Sequence, residues 1–577
     1  MASVRGLRDA TWPVMARLRR NKFLTPFSVT EVEWLLQDME LQYDRLKSWR
    51  WHAHCVSSTG SLHLLRSMAK SELSLVLVMP PQAGLLGGFA TGLISIANFV
   101  QANVPKVEVQ LLDLSNATLS GLEGAILQGG VSFAKNTVVG ITATTASHQT
   151  ALAAASAFKR LLVSDVQFTT VLGGPHPSAD AEILLRSHPD TVDYVVIGEG
   201  EIAMTEFLRR FPHVCSTPGL AFLHKGSAHV NAPPPLLNER QLDSIPLMFK
   251  KNGLKGTPGK FDHVTYVSAR GCPLNCAFCS VANQKIRARS VVQVAKDIRQ
   301  LVELGFTRIA IEDNFFAHTP RRTDELCGAL AELRRKGLKF TWDCQTRVES
   351  MDREGLVRLM ERAGCEAVYL GVESLNLDQL DYLDKAPNPS RYLDRLRRKV
   401  VPALLESDVA CYINLQFGLP GETEAHHAVT KNILKEMGLA AAQRKKEITI
   451  FPQLHVVYPG TSHFDSGWRQ KKFPRDIFES FTAWEAKQAP VLNWLGKHFA
   501  HGTGGIPIGI LNPEVLRTGR FEVETRQIVK SNAVMRIDSI LTDLDDLEGI
   551  RVFKYGSHLV PSEETVETPL IAEIANS

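Results

Sequence analysis

Long apolar runs, an excess of one charge and a disulfide-like cysteine pattern are all missing from this chain of 577 residues. No apolar stretch reaches the roughly 20 residues of a membrane-spanning helix, so no membrane partner is expected. Lys and Arg number 65 against 61 Asp and Glu, and a net charge of +4 argues for neither a nucleic acid nor an acidic partner. The basic start (Arg5, Arg8, Arg17, Arg19, Arg20, Lys22) has no apolar h-region or clear cleavage site. Asp9 and the acidic residues that follow speak against a transit peptide, so a folded, cytoplasmic protein is expected. Six of the nine cysteines (Cys55, Cys215, Cys327, Cys344, Cys365, Cys411) are scattered, as core residues in a reducing compartment would be.

The other three cysteines organise the chain. Gly271-Cys272-Pro273-Leu274-Asn275-Cys276-Ala277-Phe278-Cys279 is a C-x3-C-x2-C cluster. Pro273 stiffens its loop and Gly271 lets the backbone enter it. Structural zinc wants four ligands, usually from two C-x2-C pairs, and no partner pair exists. A ferredoxin uses a different spacing and a fourth cysteine. Three thiolates suit an iron–sulfur cube held at three irons, with the fourth iron open to another ligand.

At Cys272, Cys276 and Cys279, with Phe278 before the last cysteine, the chain resembles the radical S-adenosylmethionine (SAM) superfamily. The resemblance implies a [4Fe-4S] cluster on the three cysteines, SAM on its open iron, and reductive cleavage of SAM to a 5'-deoxyadenosyl radical. An electron donor of flavodoxin or ferredoxin type is then expected as a partner.

A second ligand site is expected upstream. From 73 the pattern alternates, with strands at 73–79, 107–112, 137–141, 167–172 and 194–197 and helices near 93–100, 118–128 and 149–163. That alternation predicts a doubly wound parallel sheet, which binds ligands beyond the carboxyl ends of its strands. A Gly-rich loop (Gly84, Gly87, Gly88, Gly92) follows the first strand. Three other strand ends carry small or hydroxylated residues: Thr142, Thr144, Thr145, Ser147 and His148; Gly173-Gly174-Pro175-His176-Pro177; and Gly198-Glu199-Gly200-Glu201. Walker-type and Gly-x-Gly-x-x-Gly fingerprints are absent from this stretch, which weakens a nucleotide-binding reading.

Pro80-Pro81, the 173–177 run and the 193–201 run resemble the cobalamin-binding domain that precedes many radical SAM cores. The likeness implies that Thr142, Thr144, Thr145, Ser147, Gly173, Gly174, Pro175, His176, Gly198, Glu199 and Gly200 hold cobalamin. The Asp-x-His-x-x-Gly motif that supplies a lower axial histidine elsewhere is missing. His148 is the one candidate nearby, and a lone histidine is more often a satisfied polar side chain.

The expected domains are a helical extension over 1–72, with Thr30 and Glu33 as a capping box, and a Rossmann-like cobalamin domain over 73–215. A connector over 216–260 follows, then a radical SAM partial (β/α)6 barrel over 261–461. A mixed C-terminal region over 462–577 would shape the substrate site. Within it, a helical pattern at 475–488 precedes the glycine-dense run 501–507, read as a demanding turn. By similarity to the superfamily, barrel strand ends with Glu312, Arg347, Gly371, Glu373 and Ser374, together with Phe278, would bind SAM. The runs 417–423 and 458–461 also match superfamily segments and read as structural turns.

The resemblance implies a cobalamin-dependent radical SAM methyltransferase, acting on a carbon of a small metabolite or modified peptide in natural-product biosynthesis. Polar methyl transfer without hydrogen abstraction is one alternative. A non-methylating rearrangement, oxidation or cyclisation is another. A cobalamin or iron–sulfur carrier or sensor is the third, and the polar strand ends at Glu312, Asp313, Arg347 and Glu373 argue against it.

Overall fold

The computed structural model describes residues 72–81, 91–145, 147–247, 263–455, 458–464, 520–522, 527–529 and 532–553. The Thr30 capping box, Gly84, Gly87, Gly88, the 475–488 helical pattern and the 501–507 run lie outside them.

Two seven-stranded sheets carry the fold. The first comprises β1 (Leu73–Met79), β2 (Glu108–Asp113), β3 (Asn136–Thr142), β4 (Gln167–Gly173), β5 (Tyr194–Val196), β6 (Leu220–His224) and β7 (Ser227–Val230), in the order β2-β1-β3-β4-β5-β6-β7. The five strands to β5 are parallel. Their apolar runs are buried on both faces, as a doubly wound sheet requires. One face is covered by the helix His148–Arg160, whose Ala151, Ala154, Ala155 and Ala157 allow close approach. The other is covered by the helices Thr91–Asn103 and Gly200–Arg210. The order reverses at β1 and β3, which opens a crevice there at the strands' carboxyl ends.

Two expectations need correction here. Residues 220–230, placed in the connector, form β6 and β7, which extend the first sheet antiparallel. Their side chains alternate poorly, but the hairpin covers the edge that β5 would otherwise expose.

The second sheet contains β8 (His263–Tyr266), β11 (Arg308–Ile311), β12 (Thr341–Thr346), β13 (Cys365–Glu373), β14 (Ala410–Phe417), β15 (Ile448–Leu454) and β18 (Ile550–Val552). Short β9 (Ala269–Arg270) and β10 (Arg287–Ala288) pair antiparallel across the cysteine loop, and β16 (Arg520–Glu522) pairs with β17 (Gln527–Val529). All seven barrel strands are parallel and lie in chain order from β8 to β18. The seventh is the second correction, because β18 docks on β15 from beyond 461. The helix Asn532–Asp545 and β18 thus complete one more unit of the barrel, and the residues between 464 and 532 become an insertion after β15. Gly438 and Gly549 permit this docking: a Cβ on Gly549 would lie 2.1 Å from the Gly438 carbonyl oxygen.

Alternation along the barrel strands separates two environments. Trp342, Cys344, Val368, Leu370, Ile413 and Ile450 point to the helices and are buried. Asp343, Tyr369, Tyr412, Asn414 and Phe451 occupy the alternate positions and are only half-buried. Tyr369 and Tyr412 stack with centroids 4.7 Å apart, and Phe553 stacks on Phe451 at 4.4 Å.

Candidate active site

The cysteine loop leaves β9 and returns on β10. Gly271 has φ +88°, and a Cβ there would lie 2.5 Å from the Lys285 carbonyl oxygen, so only glycine fits this entrance without strain. Backbone bonds fold the loop on itself: Asn283 N–H donates to Leu274 O at 2.9 Å, and Gln284 N–H to Cys272 O at 2.8 Å. Ala277 N–H donates to Leu383 O at 3.0 Å, which fixes the loop against the segment after β13.

Cation charge surrounds the thiols. Arg347 donates to Cys276 Sγ at 3.2 Å, and the Lys385 ammonium lies 5.9 Å from the Phe278 ring centroid. Burial pushes the Cys272 and Cys279 thiols up, the neighbouring thiols add to this, and Lys385 counters it. Among the described residues no three ligating side chains gather for a single metal ion. A cube binds each thiolate at a separate iron, so three mutually interacting thiols beside two cations fit a cluster better than one ion.

Glu373 is the next organised group. It ends β13 at φ +71°, in the left-handed region, where the pairing with β14 also shifts register. A non-glycine residue held there costs about 1–3 kcal/mol. The conformation aims its carboxylate at Lys385 Nζ (3.2 Å) and Gln416 Nε2 (2.8 Å). Gln416 in turn meets His455 Nδ1 at 2.7 Å. Gly371 makes room for the pair, since a Cβ there would lie 2.9 Å from Glu373 Oε1.

The residues expected to hold SAM therefore divide. Phe278, Arg347, Glu373 and Gly371 come together beside Cys276 through Lys385, which sequence reading missed. Arg347 is already engaged by Glu349 at 3.0 Å and by the Lys385 carbonyl oxygen. Ser374 is buried and turned away: its hydroxyl donates to Gln379 Oε1 at 2.6 Å and accepts from Asn376 N–H. Glu312 stands just past β11, two strands from β13, and burial raises its pKa. Its neighbour Asp313 is fully buried and accepts from Ser268 N–H (2.6 Å) and Ala269 N–H (2.8 Å), which holds the strand entering the cysteine loop.

At the crevice of the first sheet lies a cavity of about 330 Å³. Thr142, Gly173, Gly174, Pro175, Gly198, Glu199 and Gly200 line it, as do Thr91, Gly92 and Ser95 of the helix Thr91–Asn103. Gly174 has φ +105°, and a Cβ on it would lie 2.6 Å from the Ala143 carbonyl oxygen. Gly92 and Gly198 have nothing within 4 Å of a Cβ, so both open onto free space. Tyr266, Ser268, Ala269 and Arg270 close the cavity from the barrel side. A large, mostly apolar, glycine-lined crevice at the β1/β3 reversal fits a bulky ring cofactor such as cobalamin.

Thr144, Thr145, Ser147 and His176 do not line that cavity. Thr144 and Ser147 bond each other, with Thr144 N–H donating to Ser147 Oγ at 3.0 Å. His176 Nδ1 meets Thr145 Oγ1 at 3.2 Å, and its ring lies 4.1 Å from that of buried His148. Burial keeps both histidines neutral, lowering His176 to about 4 and His148 well below its ordinary value with help from His176. These residues brace the loop from within. Glu199, expected to touch cobalamin, lines the cavity and also pairs with Arg270 (3.1 Å) and Arg287 (2.5 Å). An arginine directly before Gly271-Cys272 was the sequence signal for this contact.

The fold and the two sites define an enzyme with an iron–sulfur centre and a cobalamin domain, and comparison with known proteins agrees. Residues 266–433 match the radical SAM superfamily, and residues 88–208 match the B12 binding domain. The chain belongs to the cobalamin-dependent radical SAM methyltransferase family. Its cofactors are a [4Fe-4S] cluster, SAM and cobalamin. An uncharacterised methyltransferase of Pyrococcus horikoshii is 29% identical over 336 residues, covering 56% of this chain and 68% of that protein. The hopanoid C-3 methylase of Methylococcus capsulatus is 27% identical, over 37% of this chain and 42% of that protein. The chain thus spans less than half of the second relative. The solved structure of the methyltransferase TsrM from Kitasatospora setae, with cobalamin and a [4Fe-4S] cluster bound, shares the fold at a TM-score of 0.56. That match has 16% identity and covers 69% of this chain and 78% of that one. Among the described residues no helix is long and apolar enough to cross a membrane.

Proposed function

We propose that the protein methylates a carbon of a small metabolite or modified peptide, within natural-product biosynthesis, using both cofactors in one catalytic cycle. The observation that carries this reading is the juxtaposition of the two sites: Arg270, which opens the cysteine loop, also lines the glycine cavity. The cluster with SAM supplies hydrogen abstraction and cobalamin supplies the methyl group. A flavodoxin- or ferredoxin-like donor feeds the cluster.

The chain's own residues bind and orient. Cys272, Cys276 and Cys279 hold the cluster. Glu373, kept in place by Lys385 and Gln416, receives hydroxyl donors of SAM. Thr142, Gly173, Gly174 and Gly198 hold cobalamin. The acceptor enters the barrel, where Tyr369, Tyr412 and Phe451 offer flat apolar faces. Asp343 stands among them with its carboxyl pushed up to about 7, first by burial and then by Glu366 and Glu312. It can therefore hold or release a proton at its carboxylate oxygen near neutral pH.

The test is anaerobic reconstitution with iron, sulfide, cobalamin, SAM and a strong reductant, followed by mass spectrometry. Both S-adenosylhomocysteine and 5'-deoxyadenosine are expected. S-adenosylhomocysteine alone, with a true acceptor present, would mean polar methyl transfer. 5'-Deoxyadenosine alone would overturn methylation in favour of rearrangement or oxidation.

A further inference from the structure

The two strands bracketing the cysteine loop meet the cobalamin cavity through one ion network. Arg270 on β9 faces Arg287 on β10 in register. Both guanidinium groups converge on Glu199: Arg270 Nη1 donates to Oε2 at 3.1 Å, and Arg287 donates to Oε2 at 3.0 Å and to Oε1 at 2.5 Å. Arg270 Nη2 also donates to Glu201 Oε1 (2.7 Å) and Ser95 Oγ (2.9 Å), and Ser95 Oγ donates to Glu201 Oε1 at 2.6 Å. Arg287 is 6% exposed and Glu201 3%, while Glu199 and Arg270 are about a quarter exposed, so the network is only partly screened by water. The Arg287–Glu199 and Arg270–Glu201 pairs each have one buried member that would lose its partner on separation. Glu199 sits between Gly198, open to the cavity, and Gly200, whose Cβ position lies 2.6 Å from Ile96 Cδ1. The loop ends at 270 and 287 are thereby tied to the cavity wall.

We propose that Glu199 and Glu201 are positioning residues that couple the two cofactor sites. Through Arg270 and Arg287, ordering of the cluster loop orders the 198–201 cavity wall, and filling of either site strengthens the other. The inference rests on the assignment of the two cofactor sites and needs no methyl transfer.

The test measures binding of hydroxocobalamin to the full chain by equilibrium dialysis, with and without a reconstituted cluster. The wild-type dissociation constant should fall about fivefold or more when the cluster is present. Glu199→Gln should bring that ratio close to one, whatever the variant's affinity for hydroxocobalamin without the cluster. Glu199→Asp should keep part of the ratio. A merely structural role would weaken both sites and leave the ratio in place. A wild-type ratio near one, or a full ratio in Glu199→Gln, overturns the proposal. Where Glu199→Gln does not fold, Arg287→Lys decides: it keeps the charge, loses the two-pronged contact, and must lower the ratio for the proposal to stand. No turnover enters these readouts, so a failure of the methyl-transfer reading would leave them unchanged.

Discussion

The two sheets are built from the same alternation of strand and helix, and they bind in opposite ways. The first winds outward in both directions from β1 and β3, so its ligand space is a crevice between diverging loops. Its wall is mainly glycine, threonine and apolar side chains, with Ser95, Glu199 and Arg270 toward the barrel. The second proceeds in one direction around a partial barrel, and its strand ends converge. There the functional side chains are charged and already bonded to one another, as in Arg347–Cys276 and Lys385–Glu373–Gln416. One site is prepared by leaving space and the other by fixing polar groups. Arg270 and Arg287 join them.

Damage to one site should leave the other able to fill, weakened only by the roughly fivefold coupling between them. The largest effect is expected from Cys279→Ala. SAM cleavage should fall beyond the ~10–100-fold typical of an outer-sphere change, with iron content reduced and cobalamin still bound. Loss of both cofactors together would break the comparison. Gly174→Val should do the reverse. It forces a β-branched residue to φ +105° against the Ala143 carbonyl, at a local cost of about 1–3 kcal/mol. Cobalamin affinity should drop roughly 10–100-fold, while iron and sulfide analysis matches wild type.

The smallest effect concerns the junction. Burial opposes the charge on Glu201, and the Arg270 guanidinium with the Ser95 hydroxyl outweighs it, so its carboxyl titrates below the usual carboxylate range. A carboxyl depressed in the folded state contributes stability that is complete above its unfolded value of about 4.3. That contribution is lost as the pH falls through the lower folded value. Glu201→Gln should therefore flatten the acid limb of unfolding, followed by circular dichroism on cofactor-free protein. An acid limb as steep as wild type would show that the pair adds nothing.

Much of this architecture was legible in the sequence. The strand at 73–79 and the helix near 149–163 announce themselves because period and apolar content depend on local residues alone. The grouping of Cys272, Cys276 and Cys279 is readable because side chains a few positions apart need only a tight loop to converge. The ion pairs of Glu199 are not legible for the opposite reason: its glycine neighbours mark a ligand loop, but its partners lie 71 and 88 positions away. Thr145 and His176 have ligand-like chemistry and spend it on each other. The strand at 550–552 was missed because three residues carry no period, and only the edge of β15 selects them.

By itself the sequence determined the grouping of the three cysteines, the alternating α/β class and the identity of the glycine loops, since each follows from spacing or local conformational freedom. Only the tertiary structure decided which polar residues line the cavity and which brace the wall behind it. It also decided that the C-terminal segment completes the barrel, and that two arginines bind the sites together. Those outcomes depend on residues far apart in the chain, and a long-range contact exists only once the sheets have placed both partners.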